Sequence, residues 1–303
     1  MSTGGETKMP ESEIDAIRAV LGASPRPPDL AGRRERLDAV FGNFPLADGA
    51  VAVAADANGV LAEWTSTPSA DPSRVILYLH GGGYVSGSIA SHRSMVSHLG
   101  LAAGARTLAL HYRRAPESRF PAAAVDALAG YKFLLDTGID PSRIVLAGDS
   151  AGGGLAMATL LTLRDSGEKL PAGAFLISPW VDLLNDSPSM TAKDAVDPMI
   201  HKPYLDDLAA QYLDGADPRT PIASPLYGDL HGLPPLLIQV GTAETLLDDA
   251  TRLAARAAAA DVHVTLSTWP GMIHVWHLFH TRLSDARAAI AEAGAWMKAR
   301  LTA

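Results

Sequence analysis

The stretch that most constrains this chain runs from Ile144 to Leu155 and reads Ile-Val-Leu-Ala-Gly-Asp-Ser-Ala-Gly-Gly-Gly-Leu. Ile144 to Ala147 have the apolarity and branching of a buried strand, and Leu155-Ala156-Met157-Ala158 opens a run of strong helix formers. Between them lies Gly148-Asp149-Ser150-Ala151-Gly152, the G-x-S-x-G nucleophile elbow. The turn is so tight that the positions two before and two after the serine have no room for a side chain. Its strain lifts the Ser150 hydroxyl above the sheet and leaves the Ala151 N–H at a helix N-terminus, where it can stabilise an oxyanion. With 27 glycines in the chain the bare pattern can arise by chance, so the strand before it and the helix after it carry the argument. A phosphate-cradling turn would need G-x-G-x-x-G or a lysine after the last glycine, and neither is present.

A length of 303 residues suits one large α/β domain with an accessory piece. The net charge of −8 argues against nucleic acid or an anionic membrane as partner, because both select for clustered Lys and Arg. The chain has no cysteine, which excludes thiol catalysis, disulfides and cysteine-ligated metals. Met1 to Ile14 is polar and carries Glu6, Glu11 and Glu13, so no signal peptide is expected. No apolar run is long enough to span a bilayer, and a cytoplasmic location is expected.

Ile14, Ile17, Val20 and Leu21 share a helical face; after Pro25-Arg26-Pro27-Pro28, Leu30, Leu37, Val40 and Phe41 suggest a second helix. Residues 51–55 and 60–65 predict a hairpin turning at Asn58-Gly59. From Arg74 the texture changes. Val75–Leu79, Arg106–Leu110, Arg143–Ala147, Ala174–Ile177, Leu236–Val240 and Val262–Trp269 read as strands, mostly separated by helix-length segments, which means a largely parallel sheet covered on both faces. Residues 183–220 interrupt the alternation. There Leu205, Leu208, Ala209, Tyr212 and Leu213 recur at helical spacing with Asp206 and Asp207 opposite, so an amphipathic helix is inserted and is expected to pack on the N-terminal pair as a shared cap.

Directly after Val75–Leu79 comes His80-Gly81-Gly82-Gly83-Tyr84. Glycines at a strand end let backbone N–H groups face a developing negative charge, and an H-G-G-G loop upstream of G-x-S-x-G is the order of an oxyanion loop and its nucleophile. His80 reads as a structural residue of that loop. A serine hydroxyl needs a base, and of the ten histidines His274 is best placed, delivered to the sheet edge by Pro270-Gly271-Met272-Ile273 after the last strand. His92 and His98 on a helix, and His277 and His280 running into the last one, read as packing or exposed residues. The acid that orients the base should follow Leu236–Val240, where Glu244, Asp248 and Asp249 compete. Glu244 is favoured because it lies on the loop directly beyond the strand, whereas the aspartates sit where helix caps are common.

These residues resemble a known family, the hormone-sensitive-lipase-like or family IV branch of bacterial carboxylesterases in the α/β-hydrolase superfamily. The resemblance covers about residues 60–280 and rests on His80-Gly81-Gly82-Gly83, Tyr112-Arg113-Arg114-Ala115-Pro116-Glu117 with Phe120-Pro121-Ala122-Ala123, Gly148-Asp149-Ser150-Ala151-Gly152-Gly153, and Pro270-Gly271-Met272-Ile273-His274. It implies an α/β-hydrolase fold with an eight-stranded, mostly parallel sheet, helices on both faces and a helical cap. It further implies Ser150 as nucleophile, His274 as base, Gly82, Gly83 and Ala151 as oxyanion donors, and no cofactor. Two departures stand out: Arg114 replaces the usual leucine, and Glu244-Thr245-Leu246 replaces the commoner Asp-Pro-Leu.

The expected protein is therefore a serine carboxylic-ester hydrolase acting through an acyl-enzyme, on short- to medium-chain acyl esters as the resemblance suggests. The alternatives are a lactone or amide hydrolase with the same triad and, from another class, a non-catalytic ligand-binding protein. Cap helices are expected over residues 1–45, and the catalytic domain over 46–303 with a second cap insertion at about 183–220. Tyr84, Trp180, His201 and Tyr204 are expected to line the substrate pocket. The expected partner is a small ester, with a homodimer left open.

Overall fold

The computed structural model describes residues 12–24 and 26–302; the polar segment Met1 to Glu11 and Pro25 of the interhelical break lie outside them. Two helices, α1 (Glu13–Ala23) and α2 (Leu30–Phe41), precede every strand. Their starts are fixed locally, since Ser12 and Asp29 accept the N–H of Asp15 and Gly32 as N-caps. A hairpin of β1 (Val51–Ala57) and β2 (Val60–Ser66) turns through Asn58 and Gly59, both at positive φ, as a two-residue primed turn requires. There follow β3 (Asp71–Leu79), α3 (Ile89–Ala103), β4 (Ala105–Leu110), α4 (Ala122–Asp136), β5 (Ile144–Asp149), α5 (Ala151–Asp165) and β6 (Gly173–Ile177). The chain then leaves the sheet through α6 (Ser189–Ala192) and α7 (Lys202–Leu213), and returns as β7 (Leu236–Gly241), α8 (Leu247–Ala259), β8 (Val264–Trp269) and α9 (Ser284–Leu301).

The eight strands form one sheet in the order β1-β2-β4-β3-β5-β6-β7-β8, antiparallel only at β1/β2 and β2/β4. This is the expected mostly parallel architecture. β3 starts earlier than its apolar run because Asp71 pairs with Ala105 ahead of a register shift that ends at Val75. Strands β5, β6 and β7 are buried along their whole length, which is why their sequences, Asp149 and Gln239 apart, run apolar instead of alternating. Alternation survives in which face each side chain supplies. Ile76, Tyr78, Val145 and Phe175 pack under α3 and α9, while Leu77, Leu79, Leu146 and Leu176 pack under α4, α5 and α8. Each such fully buried side chain contributes about 1.5–3 kcal/mol.

The inserted helix α7 buries Leu205, Leu208, Ala209, Tyr212 and Leu213 as its spacing predicts. It meets the N-terminal helices through an Arg33–Asp207 ion pair of 3.7 Å and through the guanidinium of Arg26 lying 3.5 Å over the Tyr204 ring. Val20 and Val40, read from sequence as part of the apolar helical faces, are exposed, and Val40 lines a cavity.

Candidate active site

β3, β5, β7 and β8 all run in one direction, so the loops that leave their carboxyl ends meet at one edge of the sheet. The loop after β5 is the elbow. Ser150 sits at φ 52, ψ −122, a strained conformation for a residue with a side chain, of the kind that costs about 1–3 kcal/mol. The surroundings hold it there: its N–H donates to the Ile177 carbonyl at 2.8 Å, and its own carbonyl accepts the Gly153 and Trp180 N–H groups at 3.0 and 2.9 Å. A Cβ at Gly148 would meet the Gly152 oxygen at 2.3 Å, and one at Gly152 would meet the Leu79 oxygen at 1.9 Å, so both flanking positions are closed to any other residue.

Beyond β8, His274 is buried, and its Nδ1 lies 2.7 Å from Glu244 Oε2 on the loop after β7. The other Glu244 oxygen, Oε1, accepts the Ser178 hydroxyl at 2.8 Å and the Gly241 N–H at 2.7 Å, so the carboxylate is fully buried and fully engaged. Burial disfavours a charged His274, but the hydrogen bond and charge of Glu244 prevail and raise its pKa above the ordinary imidazole value. With Nδ1 committed to Glu244, Nε2 is the nitrogen left for Ser150, which opens on the same cavity.

The other two carboxylates that competed in sequence are spent elsewhere. Asp248 accepts the Ser189 N–H at 2.8 Å, and Asp249 accepts those of Val181 and Asp182 at 2.9 and 3.0 Å. Both tie down the segment that leaves β6. Burial drives the Asp249 pKa up to about 8.

In the loop after β3, Gly82 at φ 110 and Gly83 at φ 64 line the cavity, and Ala151 begins α5. The N–H groups of these three residues have no acceptor among the described residues. The loop is fixed to the elbow through Asp149, which accepts the Gly81 N–H at 2.9 Å and the Tyr78 hydroxyl at 2.7 Å. Its Oδ2 lies 3.3 Å from Nε2 of His92, a histidine that reads from sequence as helix packing yet lines the cavity. Burial opposes charge on both partners, but their attraction prevails, raising the His92 pKa and lowering that of Asp149. Ser178, Asp149 and His92 thus hold the site's geometry and were missed as such. Asp149 stands inside the G-x-S-x-G motif, but its partners lie far away in sequence.

Ser150, His274, Gly82 and Gly83 share a cavity of about 430 Å³ with residues of α1, α2 and α7. His201 and Tyr204 line it, the former with its Nδ1 2.8 Å from Asp194. Tyr84 and Trp180 lie elsewhere. Tyr84 is buried in a stack on Tyr212 with ring centroids 3.9 Å apart, and the buried indole of Trp180 donates to Asn185 at 2.8 Å. Both are packing residues, and Trp180 bonds the Ser150 carbonyl through its backbone N–H. Arg114, unusual for its motif, donates to the Gly87 carbonyl and braces the far end of the oxyanion loop. A wider cleft of about 670 Å³ beside Asn58 and Arg113 contains none of Ser150, Glu244 or His274.

Comparison with known proteins gives concordant results. The family described as α/β hydrolase fold matches residues 76–278. An acetyl-hydrolase of Streptomyces hygroscopicus is 47% identical over 295 residues, covering 96% of this chain and 97% of the relative. An esterase of Acinetobacter venetianus is 36% identical over 225 residues, covering 74% of each chain. The crystal structure of an esterase from the bacterial hormone-sensitive lipase family matches with a TM-score of 0.93 at 46% identity, covering 97% of this chain and 99% of that one.

Proposed function

This chain belongs to the α/β-hydrolase family, in its hormone-sensitive-lipase-like branch, and is a carboxylic-ester hydrolase; on that premise we propose that Ser150, His274 and Glu244 are its catalytic triad. Ser150 Oγ attacks the ester carbonyl while His274 Nε2 takes its proton, and Glu244 holds the imidazole in the tautomer with hydrogen on Nδ1. The N–H groups of Gly82, Gly83 and Ala151 receive the oxyanion, each well-placed donor contributing about 3 kcal/mol. His274 returns the proton to the leaving alcohol, leaving an acyl-Ser150, and water repeats the sequence in reverse. The observation that carries this reading is the 2.7 Å contact between Glu244 and His274 in a cavity shared with a strained Ser150.

Helices α1 and α2 together with the segment 183–220 form a two-part cap, a reading supported by a cavity whose wall draws on both. A volume of about 430 Å³ is toward the small end for ligand sites and supports acyl chains of short to medium length. A homodimer is part of the same proposal, supported by β8, an edge strand that pairs only with β7 among the described residues; a monomeric mass by light scattering would refute it. The triad is tested with Ser150→Ala, which should fold normally and lose about 10⁴-fold or more in kcat. Peptide mapping after treatment with a sulfonyl fluoride should place the label on Ser150. A label on another residue, or retained turnover in the pure variant, overturns the assignment.

A further inference from the structure

The cavity wall is strongly asymmetric in charge. Three arginines, Arg26, Arg33 and Arg36, line it, and the carboxylate that lines it among the described residues is Asp149, buried beneath the elbow and paired with His92, Tyr78 and Gly81. This cluster occurs in a chain of net charge −8. The guanidinium carbon of Arg26 sits over the Tyr204 ring, 3.5 Å from its centroid, with that of Arg33 at 5.5 Å from the same ring. Stacking occupies the face of a guanidinium and leaves its in-plane N–H fork free to meet a planar oxyanion. Arg26 gives one N–H to the Met199 carbonyl, and no carboxylate lies within ion-pair distance of it among the described residues. The carboxylate whose charge acts on it is Asp197, which is buried and engaged with the N–H groups of Met199, Ile200 and Thr245. Arg33 is better satisfied, by the Pro27 and Pro28 carbonyls and by Asp207. The positive charges of Arg33 and Arg36 act on Arg26, and an anion set against it would relieve that repulsion.

Resting on the ester-hydrolase reading above, we propose that the physiological substrates carry a carboxylate on the arm remote from the scissile carbonyl, as half-esters of dicarboxylic acids or esters of hydroxy acids do, and that Arg26 with Arg33 and Arg36 recognises it. The scissile carbonyl then lies over Ser150 while the charged end reaches the more exposed, α1–α2 side of the cavity. No catalytic step differs from that of a neutral ester; the cluster selects and orients.

The test compares esters of matched shape by titrimetric hydrolysis. On the acyl side monomethyl adipate is set against methyl 6-methylheptanoate, and on the alcohol side 5-(butanoyloxy)pentanoate against 5-methylhexyl butanoate. At low ionic strength kcat/KM should favour the carboxylate by about tenfold on at least one arm, through KM more than kcat, and 0.5 M KCl should erode the preference. Arg26→Gln should cut the ratio to about twofold or less, while Arg26→Lys, which keeps the charge, should retain most of it. Adipate itself should bind by calorimetry and bind more weakly in Arg26→Gln, a readout that needs no turnover. A ratio of one or below on both arms overturns the proposal, as does a ratio indifferent to Arg26→Gln and to salt. If neither the charged nor the neutral esters are hydrolysed, the triad reading falls, and adipate binding still decides this one.

Discussion

Replacing Glu244 by glutamine tests the triad at its tightest point. Glu244 Oε1 receives two donors, the Ser178 hydroxyl and the Gly241 N–H, and Oε2 faces His274 Nδ1 at 2.7 Å. Glutamine has one acceptor oxygen, and the two donors claim it, which turns the amide NH₂ toward Nδ1. Nδ1 must then accept, so the imidazole proton moves to Nε2 and points at the hydroxyl it should deprotonate. An imidazole locked in that tautomer is not a base, and the expected loss in kcat is about 10⁴-fold, or about 5.4 kcal/mol at about 1.36 kcal/mol per factor of ten. The fold should persist, because size and contacts are conserved. A second signature separates this from a general loss of structure. Burial lowers the His274 pKa and Glu244 raises it, with Glu244 prevailing. Activity requires neutral His274 and so rises with pH through that raised pKa; glutamine removes the raising contribution, and the midpoint of the residual activity should move to lower pH. The assay is kcat/KM for p-nitrophenyl butyrate from about pH 5 to 9, with Asp248→Asn and Asp249→Asn alongside. These two should lose less than about tenfold, since their carboxylates hold the backbone of the cap entrance and not the imidazole. A large loss in either, with Glu244→Gln near normal, would refute the assignment, and an unmoved midpoint would refute the electrostatic argument.

In the wild type the acid limb of the kcat/KM profile should have its midpoint above about 6.5, the ordinary imidazole value, and a midpoint clearly below it would contradict the Glu244–His274 coupling. Ser178→Ala removes one of the two donors on Glu244 Oε1 and the acceptor of the Val275 N–H, and should lower kcat by about tenfold with KM nearly constant; unchanged steady-state kinetics would show that Ser178 does not position the acid. Gly82→Ala should abolish activity more fully than Gly83→Ala, because a Cβ at Gly82 meets the Ser86 carbonyl at 2.3 Å whereas one at Gly83 meets the tip of Leu208. Adding Leu208→Ala should recover part of the loss in the Gly83 variant and none in the Gly82 variant, which the same p-nitrophenyl assay reads directly.

What the sequence reveals and what it hides follows from how far each constraint reaches along the chain. The elbow and the oxyanion loop are legible because steric demands within a few residues fix them: Gly148 and Gly152 close on each other, and the loop follows its strand without interruption. Glu244 is legible as the first acid beyond β7, but Asp248 and Asp249 could be set aside only once their partners, Ser189, Val181 and Asp182, came into view across the cap entrance. The placement of Tyr84 and Trp180 is hidden for the same reason. Standing beside the motif loops suggests a pocket wall, whereas the distant Tyr212 and the neighbouring Asn185 draw both rings into packing. The N-terminal helices show the limit most clearly. Their apolar faces suggest a cover, and the structure shows a brace: Arg34 donates to the Val85 and Ala115 carbonyls and grips Glu117, the Ser88 hydroxyl that caps α3 bonds Asp38, and Phe41 packs edge-on to Phe279 at 5.3 Å. None of these polar partners is visible as amphipathic periodicity. Because Val85 lies in the turn whose N–H groups bond the Gly82 carbonyl, α2 is mechanically joined to the oxyanion loop. Substitutions on α2 that alter chain-length preference should therefore disturb kcat as well as KM, since the helix that borders the cavity also helps to hold the loop of the proposed oxyanion donors.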